Sequence, residues 1–361
     1  MARIIALTPR YPYPIHSGEK IRLHHLCRML SKEHEVTLLS FSDSPEADLV
    51  DPPSGIYTSV ETVYLPRWRS WVQALFALPT STPIQVAYYW SAVFHETVKK
   101  LASQHDLVLA HLIRTAPFAR DLDGIPTVLE MTDAISLNYE RVRNEGTQWK
   151  LKPLVYRIET DRVRSFELDM VQQFDLVSFV SSVDRDYLAD HLPQSDHLAV
   201  YPNGVDINEF RRVGSQAKPD VVFVGNMRTA QNQDACDFFI DEVIPRLRQD
   251  VPQMKLRIVG ASPEAVARRY ASKDGVDFVG RVDNIADAVK GVCAAVCPMR
   301  VGAGLQNKVL EYMAMEIPAV VSPMGIEGID ARSNEHVLIA DGPEEMANAV
   351  LQLYRNEALR T

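Results

Sequence analysis

The chain has 361 residues, 47 of them acidic against 38 basic, with a formal charge of -9 and a pI near 5.6. That balance argues against a general nucleic-acid binder. The length exceeds what one hydrophobic core usually supports, so two domains are expected, and no apolar run approaches the ~20 residues of a membrane-spanning helix.

Short β-rich runs alternate with helical patterns from the start. "RIIAL" (3–7) is followed by "GEKIRLHHLCRMLSKE" (18–33), where Leu23, Leu26, Cys27 and Leu30 recur at helical spacing. The histidines within it, His24 and His25, suit packing or surface positions. "VTLLSF" (36–41), "DLVLAH" (106–111), "TVLEMT" (127–132), "LVSFVS" (176–181) and "LAVYPN" (198–203) follow. Continuous apolar runs of this length, separated by helices, predict a parallel sheet covered on both faces.

The rhythm breaks at "YPNGVDINEFRRVGSQAKPD" (201–220), a polar stretch punctuated by Pro, Asn-Gly and Gly. It resumes with "VVFVGN" (221–226), "KLRIVG" (255–260), "VDFVGR" (276–281), "AAVCPM" (294–299), "PAVVSP" (318–323) and "HVLIA" (336–340), and a helical pattern over 343–360 closes the chain. The expected architecture is two doubly wound α/β domains, 1–204 and 219–361, joined by a linker at 205–218. Cys27, Cys236, Cys293 and Cys297 have no metal spacing and read as reduced, buried thiols. The first residues are too short and proline-rich for a secretory signal. The cytoplasm, or the inner face of the membrane, is the expected location.

Ligands of such domains bind beyond the carboxyl ends of the strands. "RVGAGLQNKVLE" (300–311) lies there. Gly302 and Gly304 permit close backbone approach. A helix opening near Leu305 or Gln306 would turn its first N–H groups, those of Gln306 and Asn307 among them, toward a phosphate. Arg300 and Lys308 flank this mouth, and Glu311, one turn on, could accept hydrogen bonds from vicinal ribose hydroxyls. The alternative for Lys308 and Glu311 is a solvated i, i+3 ion pair. Gly225, Asn226 and Arg228 follow the first strand of this half, and Arg281 and Val282 follow the third. A nucleotide pocket fits this set. There is no G-x-G-x-x-G opening a helix, no P-loop and no G-x-S-x-G elbow.

These segments, together with "TPRYPYPIHSGEKIRLHHLCRML", "YPNGVD", "NQDACDFFIDEVIPRL", "VDFVGRVDNI" and "GAGLQNKVLEYMAMEIPAVVSP", resemble a GT-B glycosyltransferase of the family 4 type, similar to bacterial enzymes of exopolysaccharide clusters. The resemblance spans nearly the whole chain. It implies two Rossmann-like domains facing each other across a cleft, and transfer of a sugar, with retention, from a nucleotide diphosphate donor such as a UDP-sugar. It implies no metal and no cofactor beyond that co-substrate. By the same resemblance Glu311 matches the glutamate on the donor ribose. Gly302, Ala303, Gly304 and Leu305 match the loop whose amides meet the donor sugar and distal phosphate. Arg281 and Val282 match the segment that reads the base. Gly18 matches the glycine loop of the first domain, its alternative being an ordinary βα turn. Arg300 and Lys308 would neutralise the diphosphate.

The chain departs from the family pattern at Ala303, where many members carry a first glutamate. It also departs after Arg228, where a lysine is missing, and in "TVLEMTDAIS", where Glu130 and Asp133 stand instead of a histidine. Asp133 is the candidate for the acceptor proton or the donor sugar, its alternative being a helix cap. His111 and His16 are candidate donor or acceptor contacts. "RWRSWVQALFALPTSTPIQVAYYW" (67–90) gathers Trp68, Trp71, Phe76, Tyr88, Tyr89 and Trp90 beside Arg67 and Arg69, and 141–164 is rich in Arg and Lys. A lipid-linked or polysaccharide acceptor at the membrane surface suits that composition; aromatics buried in a core are the alternative. A sugar-nucleotide epimerase and a partner subunit without turnover are the competing functions.

Overall fold

The computed structural model describes residues 1–15, 17–44, 49–144, 153–211, 218–302 and 304–360. They form two compact units, Met1–Tyr201 and Pro202–Thr361. His16, Ala303 and residues 212–217 of the expected linker lie outside the described residues.

The first unit has seven strands: β1 (Arg3–Thr8), β2 (Glu35–Ser42), β3 (Ser59–Tyr64), β4 (Leu107–His111), β5 (Thr127–Thr132), β6 (Leu176–Phe179) and β7 (Leu198–Val200). They run parallel in the order β3-β2-β1-β4-β5-β6-β7. Its helices are α1 (Gly18–Leu30), α2 (Arg67–Ala77), α3 (Ile84–Ala87), α4 (Ala92–Ala102), α5 (Ala116–Ala119), α6 (Ile135–Asn144), α7 (Pro153–Val171) and α8 (Ser182–Ala189). Strand β3 was not visible as an apolar run. It is the edge strand, half-exposed along "SVETVY", so nothing in its position demands continuous apolar residues.

The second unit repeats the plan with β8 (Lys218–Val224), β9 (Lys255–Val259), β10 (Val276–Gly280), β11 (Val292–Cys297), β12 (Ala319–Val321) and β13 (Leu338–Ile339), all parallel, in the order β10-β9-β8-β11-β12-β13. The helices are α9 (Ala230–Phe238), α10 (Ile244–Asp250), α11 (Glu264–Ala271), α12 (Ile285–Ala288), α13 (Asn307–Ala314), α14 (Gly342–Arg355) and α15 (Glu357–Arg360); a π-helical stretch, Phe239–Val243, joins α9 to α10. The central β11 is buried at every residue, whereas the edge strand β10 alternates half-buried and exposed. Central strands covered on both faces must be apolar throughout, and this is why the sequence disclosed them.

In each unit the strand order reverses beside the first strand, between β1 and β4 and between β8 and β11. At such a switch point the connections leave in opposite directions and open a crevice beyond the strand ends. The segments singled out in the sequence, 225–228 and 300–311, follow β8 and β11. All four cysteines are buried free thiols.

Candidate functional site

In the second unit, β11 leads into a turn in which Gly302 (φ 120°) and Gly304 (φ 83°) occupy backbone regions that disfavour side chains. A Cβ at Gly302 would also sit 3.3 Å from Gln231 Nε2. Helix α13 then begins at Asn307. The residue before it, Gln306, makes no side-chain cap; its amide donates back to Gly304 O instead, at 3.3 Å. The helix mouth therefore keeps N–H groups uncapped by that side chain.

Lys308, in the first turn of α13, is buried. Its Nζ donates to Asn232 Oδ1 at 2.8 Å, lies 3.7 Å from Met299 Sδ and sits 4.4 Å above the Phe223 ring. Burial pushes its ammonium below the usual lysine range. The carboxylate of Glu311, one turn on, accepts no hydrogen bond among the described residues, and burial pushes it up to about 6 against the pull of Lys308. The i, i+3 ion pair allowed by the sequence is not formed: among the described residues no carboxylate lies within salt-bridge distance of Lys308. The turn and helix thus set a buried cation served by one amide beside a carboxylate with no hydrogen-bond partner among the described residues.

Residues after β8 approach this pair. Asn226 Oδ1 accepts from the Arg228 N–H at 3.0 Å, and the Asn226 carbonyl accepts from Asn232 Nδ2 at 2.9 Å. Asn232 thus ties the turn after β8 to Lys308. Gly225 is obligatory beside it, since a Cβ would fall 2.8 Å from the Phe223 ring and 2.9 Å from Asn232 Nδ2. Arg228 itself is exposed, as is Arg281, while Val282 packs against the core. Leu305 is half-buried, and Asn307 Oδ1 accepts from Asn203 Nδ2 at 2.8 Å.

Arg300 is differently engaged. Its guanidinium pairs with both oxygens of Asp234, at 2.7 and 3.2 Å, and lies 4.5 Å over the Phe238 ring, so its charge is compensated where it stands. Gln231, Asn232 and Asp234 were not assigned roles from the sequence. The only signal was a run of polar residues, "QNQD", opening a helix after a glycine turn.

The first unit holds a second cluster at its own switch point. Glu130, buried in β5, accepts from Arg22 Nε at 2.5 Å, and His111 Nδ1 lies 2.6 Å from its other oxygen. Burial would raise the Glu130 pKa, but the His111 and Arg22 contacts outweigh it and hold the carboxyl at about 2. The same carboxylate accepts from the Thr132 N–H and hydroxyl, fixing Thr132 at φ 66°. A threonine rarely adopts that conformation, and such strain concentrates where a side chain must be aimed. Asp133 is the next residue along the chain. Asp133 does not cap α6: Glu167 takes the N–H groups of Ile135 and Ser136, and Asp184 takes that of Ala134. Burial, with Asp184 and Glu130 adding repulsion, pushes the Asp133 carboxyl up to about 7. His111 is thus a buried partner of Glu130, and it also lines a narrow crevice with Arg10, Lys20 and Leu112. Gly18 is the exposed first residue of α1, preceded by Ser17. His24 bonds Tyr13 Oη at 3.0 Å, in keeping with packing.

Residues 17–209 match the family model "Glycosyltransferase Family 4", and residues 218–356 match "Glycosyl transferases group 1". The chain belongs to glycosyltransferase family 4. It is similar, at 21% identity over 99% of the chain and 92% of the relative, to an uncharacterized 44.6 kDa protein in the cps region of Klebsiella pneumoniae. It is 26% identical, over 81% of the chain and 80% of the relative, to a GDP-mannose-dependent alpha-(1-6)-phosphatidylinositol monomannoside mannosyltransferase of Mycobacterium tuberculosis. Among solved structures it is similar to Anabaena Alr3699/HepE in complex with UDP (TM-score 0.68, 13% identity, 100% of this chain and 92% of that one). It is also similar to the sucrose-phosphate synthase of Thermosynechococcus elongatus (TM-score 0.71, 16% identity, 100% and 91%). The glycosyltransferase thus has the GT-B plan of two Rossmann-like halves expected from its sequence. Among the described residues no helix is long and apolar enough to cross a membrane.

Proposed function

We propose that this glycosyltransferase moves a sugar, with retention and without a metal, from a nucleotide diphosphate donor to a glycan or lipid-linked acceptor at the inner face of the membrane. The observation that carries the donor half is buried Lys308 set one turn before Glu311, whose carboxylate accepts no hydrogen bond among the described residues, at a helix mouth that the Gln306 side chain does not cap. As the bond between the anomeric carbon and the leaving oxygen breaks, its electron pair passes to the diphosphate. Lys308 and the first N–H groups of α13 are donors fixed in advance for that charge. Glu311, ionised above about pH 6, would take the two ribose hydroxyls. Gly302 and Gly304 would let backbone amides reach the sugar and distal phosphate, with Arg281 and Val282 near the base. Compensated by Asp234, Arg300 would shape the site more than neutralise the donor.

In the first half, Asp133 is our candidate for the proton released as the acceptor oxygen bonds to the anomeric carbon. A carboxyl held near 7 is poised for that exchange at neutral pH. The relatives support a nucleotide sugar but point to different bases, UDP in one and GDP-mannose in the other. Both should therefore be offered, with and without EDTA, while nucleotide diphosphate release and acceptor product are followed. Release unaffected by EDTA and an α-linked product from an α-linked donor support the proposal. A new nucleotide sugar formed without acceptor would make the protein an epimerase, and release only with added divalent ion would refute metal independence.

A further inference from the structure

Helix α2 is built inside out. The face it buries consists of Ser70, Ala74 and Ala77. Facing water are Trp68 (66% exposed), Trp71 (67%), Leu75 (64%) and Phe76 (73%), with Val72 beside them and Leu78 just beyond the helix. Positions 68, 71, 72 and 75 follow the i, i+3, i+4, i+7 spacing of a single helical stripe. In a helix that merely covers a sheet, this stripe points inward. Here small residues let the helix lie close to the body while the large ones project. A cluster of exposed tryptophan, phenylalanine and leucine marks a contact surface.

Its charge says what kind. The 34 residues from Thr62 to His95 contain no Asp or Glu, in a chain that has 47 of them, and they include two exposed arginines, Arg69 and Arg67, the latter paired with Asp43 at 2.6 Å. Arg162 of α7 donates to the Leu78 carbonyl at 2.6 Å and fixes the end of α2, its own charge being met by Glu159 at 3.0 Å. Tryptophan favours the boundary between headgroups and acyl chains, where its ring is buried and its N–H stays hydrated. A second copy docked on this face about a twofold axis would set the Arg69 side chains of the two copies together in a dry interface.

We infer that α2 lies in the plane of an anionic lipid surface, inserting Trp68, Trp71, Leu75 and Phe76 between headgroups while Arg69 faces the phosphates. This deepens the membrane side of the proposed function and rests on that part of it alone. The donor-site assignment stands or falls separately, because lipid binding needs no donor.

The test is flotation of the full chain with vesicles of equal parts phosphatidylcholine and phosphatidylglycerol, and with phosphatidylcholine alone, in the absence of nucleotide sugar. Three of the four tryptophans (Trp68, Trp71 and Trp90) lie in or beside the patch, so emission should shift to the blue on binding and be quenched by brominated acyl chains. The triple change Trp68→Ser, Trp71→Ser, Phe76→Ser should cut vesicle partitioning at least tenfold while lowering the melting temperature by no more than a few degrees, the loss of the Trp71–Tyr88 ring contact. These residues are largely exposed in the free protein, and the one ring contact among them, Trp71 edge-on to Tyr88 at 5.6 Å, is at the surface. Arg69→Glu should weaken binding to the anionic vesicles selectively. Absence of flotation with either vesicle, or flotation indifferent to the triple change, overturns the inference. So does a dimer that the same triple change dissolves without any lipid binding.

Discussion

Lys308 and Asn232 meet at 2.8 Å, joining the first turn of α13 to the first turn of α9 across the switch point of the second sheet. Asn232 also holds the Asn226 carbonyl through its amide nitrogen, so one side chain fixes both the cation and the turn after β8. Among the described residues the arrangement keeps an ammonium buried with no carboxylate in direct contact, Glu311 acting on it only at longer range.

Lys308→Met is therefore expected to separate function from stability. Removing a buried charge that has no carboxylate partner should leave the melting temperature unchanged or higher. Losing a pre-placed donor for the leaving diphosphate should lower kcat by about 10²–10³-fold. Asn232→Ala should lower kcat less, by roughly tenfold, since it misplaces the ammonium without removing it. Steady-state kinetics alongside a thermal melt checks both; a Lys308→Met enzyme with near-normal kcat removes the lysine from the chemistry.

Glu130 and Asp133 predict opposite pH behaviour within one turn. Glu130 is held at about 2, below its unfolded value, so its contribution is present above about 4.5 and lost as pH falls toward 2. Glu130→Gln should cost about 3 kcal/mol at pH 7 by leaving Arg22 and His111 without their carboxylate, and should flatten acid unfolding in that window. Asp133 is held at about 7, above its unfolded value, so its contribution is present at low pH and lost as pH rises from about 4 through 7. Asp133→Asn should thus raise the melting temperature by a few degrees at pH 8 and change it little at pH 4. If Asp133 serves the acceptor, the same variant loses activity as it gains stability. A stability gain independent of pH would show that the Asp133 carboxyl is not strained by burial.

Gly260 and Gly225 make a sharp steric prediction. A Cβ on Gly260 (φ 144°) would lie 2.0 Å from the Gly225 carbonyl oxygen, with no flexible side chain to give way. Gly260→Ala should cost about 3 kcal/mol or more and disturb the second unit's unfolding. Gly204→Ala, with nothing within 4 Å, is the matched control and should shift stability by less than about 0.5 kcal/mol. Equal melting of the two variants would mean that β8 and β9 do not approach as described.

What the sequence disclosed follows from burial. Central strands such as "LVLAH" and "VCAAVC" must be apolar on both faces, so their runs announced themselves, and "TVLEMT" coincides with β5 over 127–132. The edge strand β3, half wet, had no such signature. At the site, Gly302, Gly304, Lys308 and Glu311 were legible because a glycine-opened helix carrying one cation and one carboxylate is an uncommon pattern. The partners of Arg300 and Lys308 were not, because Asp234 and Asn232 lie more than sixty residues away in sequence and only the fold brings them near. For the same reason Asp133 could pass for a helix cap: its displacement by Glu167 depends on α7 crossing the start of α6. The outward face of α2 was equally hidden, since a sequence of aromatics does not say which side of a helix is wet.

The most direct measurement is a thermal-shift titration with UDP- and GDP-sugars on the native protein and on Glu311→Ala. Binding to the folded state alone raises the melting temperature in proportion to RT ln(1 + [L]/Kd). The account predicts that one nucleotide family stabilises the native protein, that the shift weakens as pH falls below about 6 with protonation of Glu311, and that it vanishes in the variant at every pH. A shift of equal size in Glu311→Ala would contradict the placement of the donor on α13.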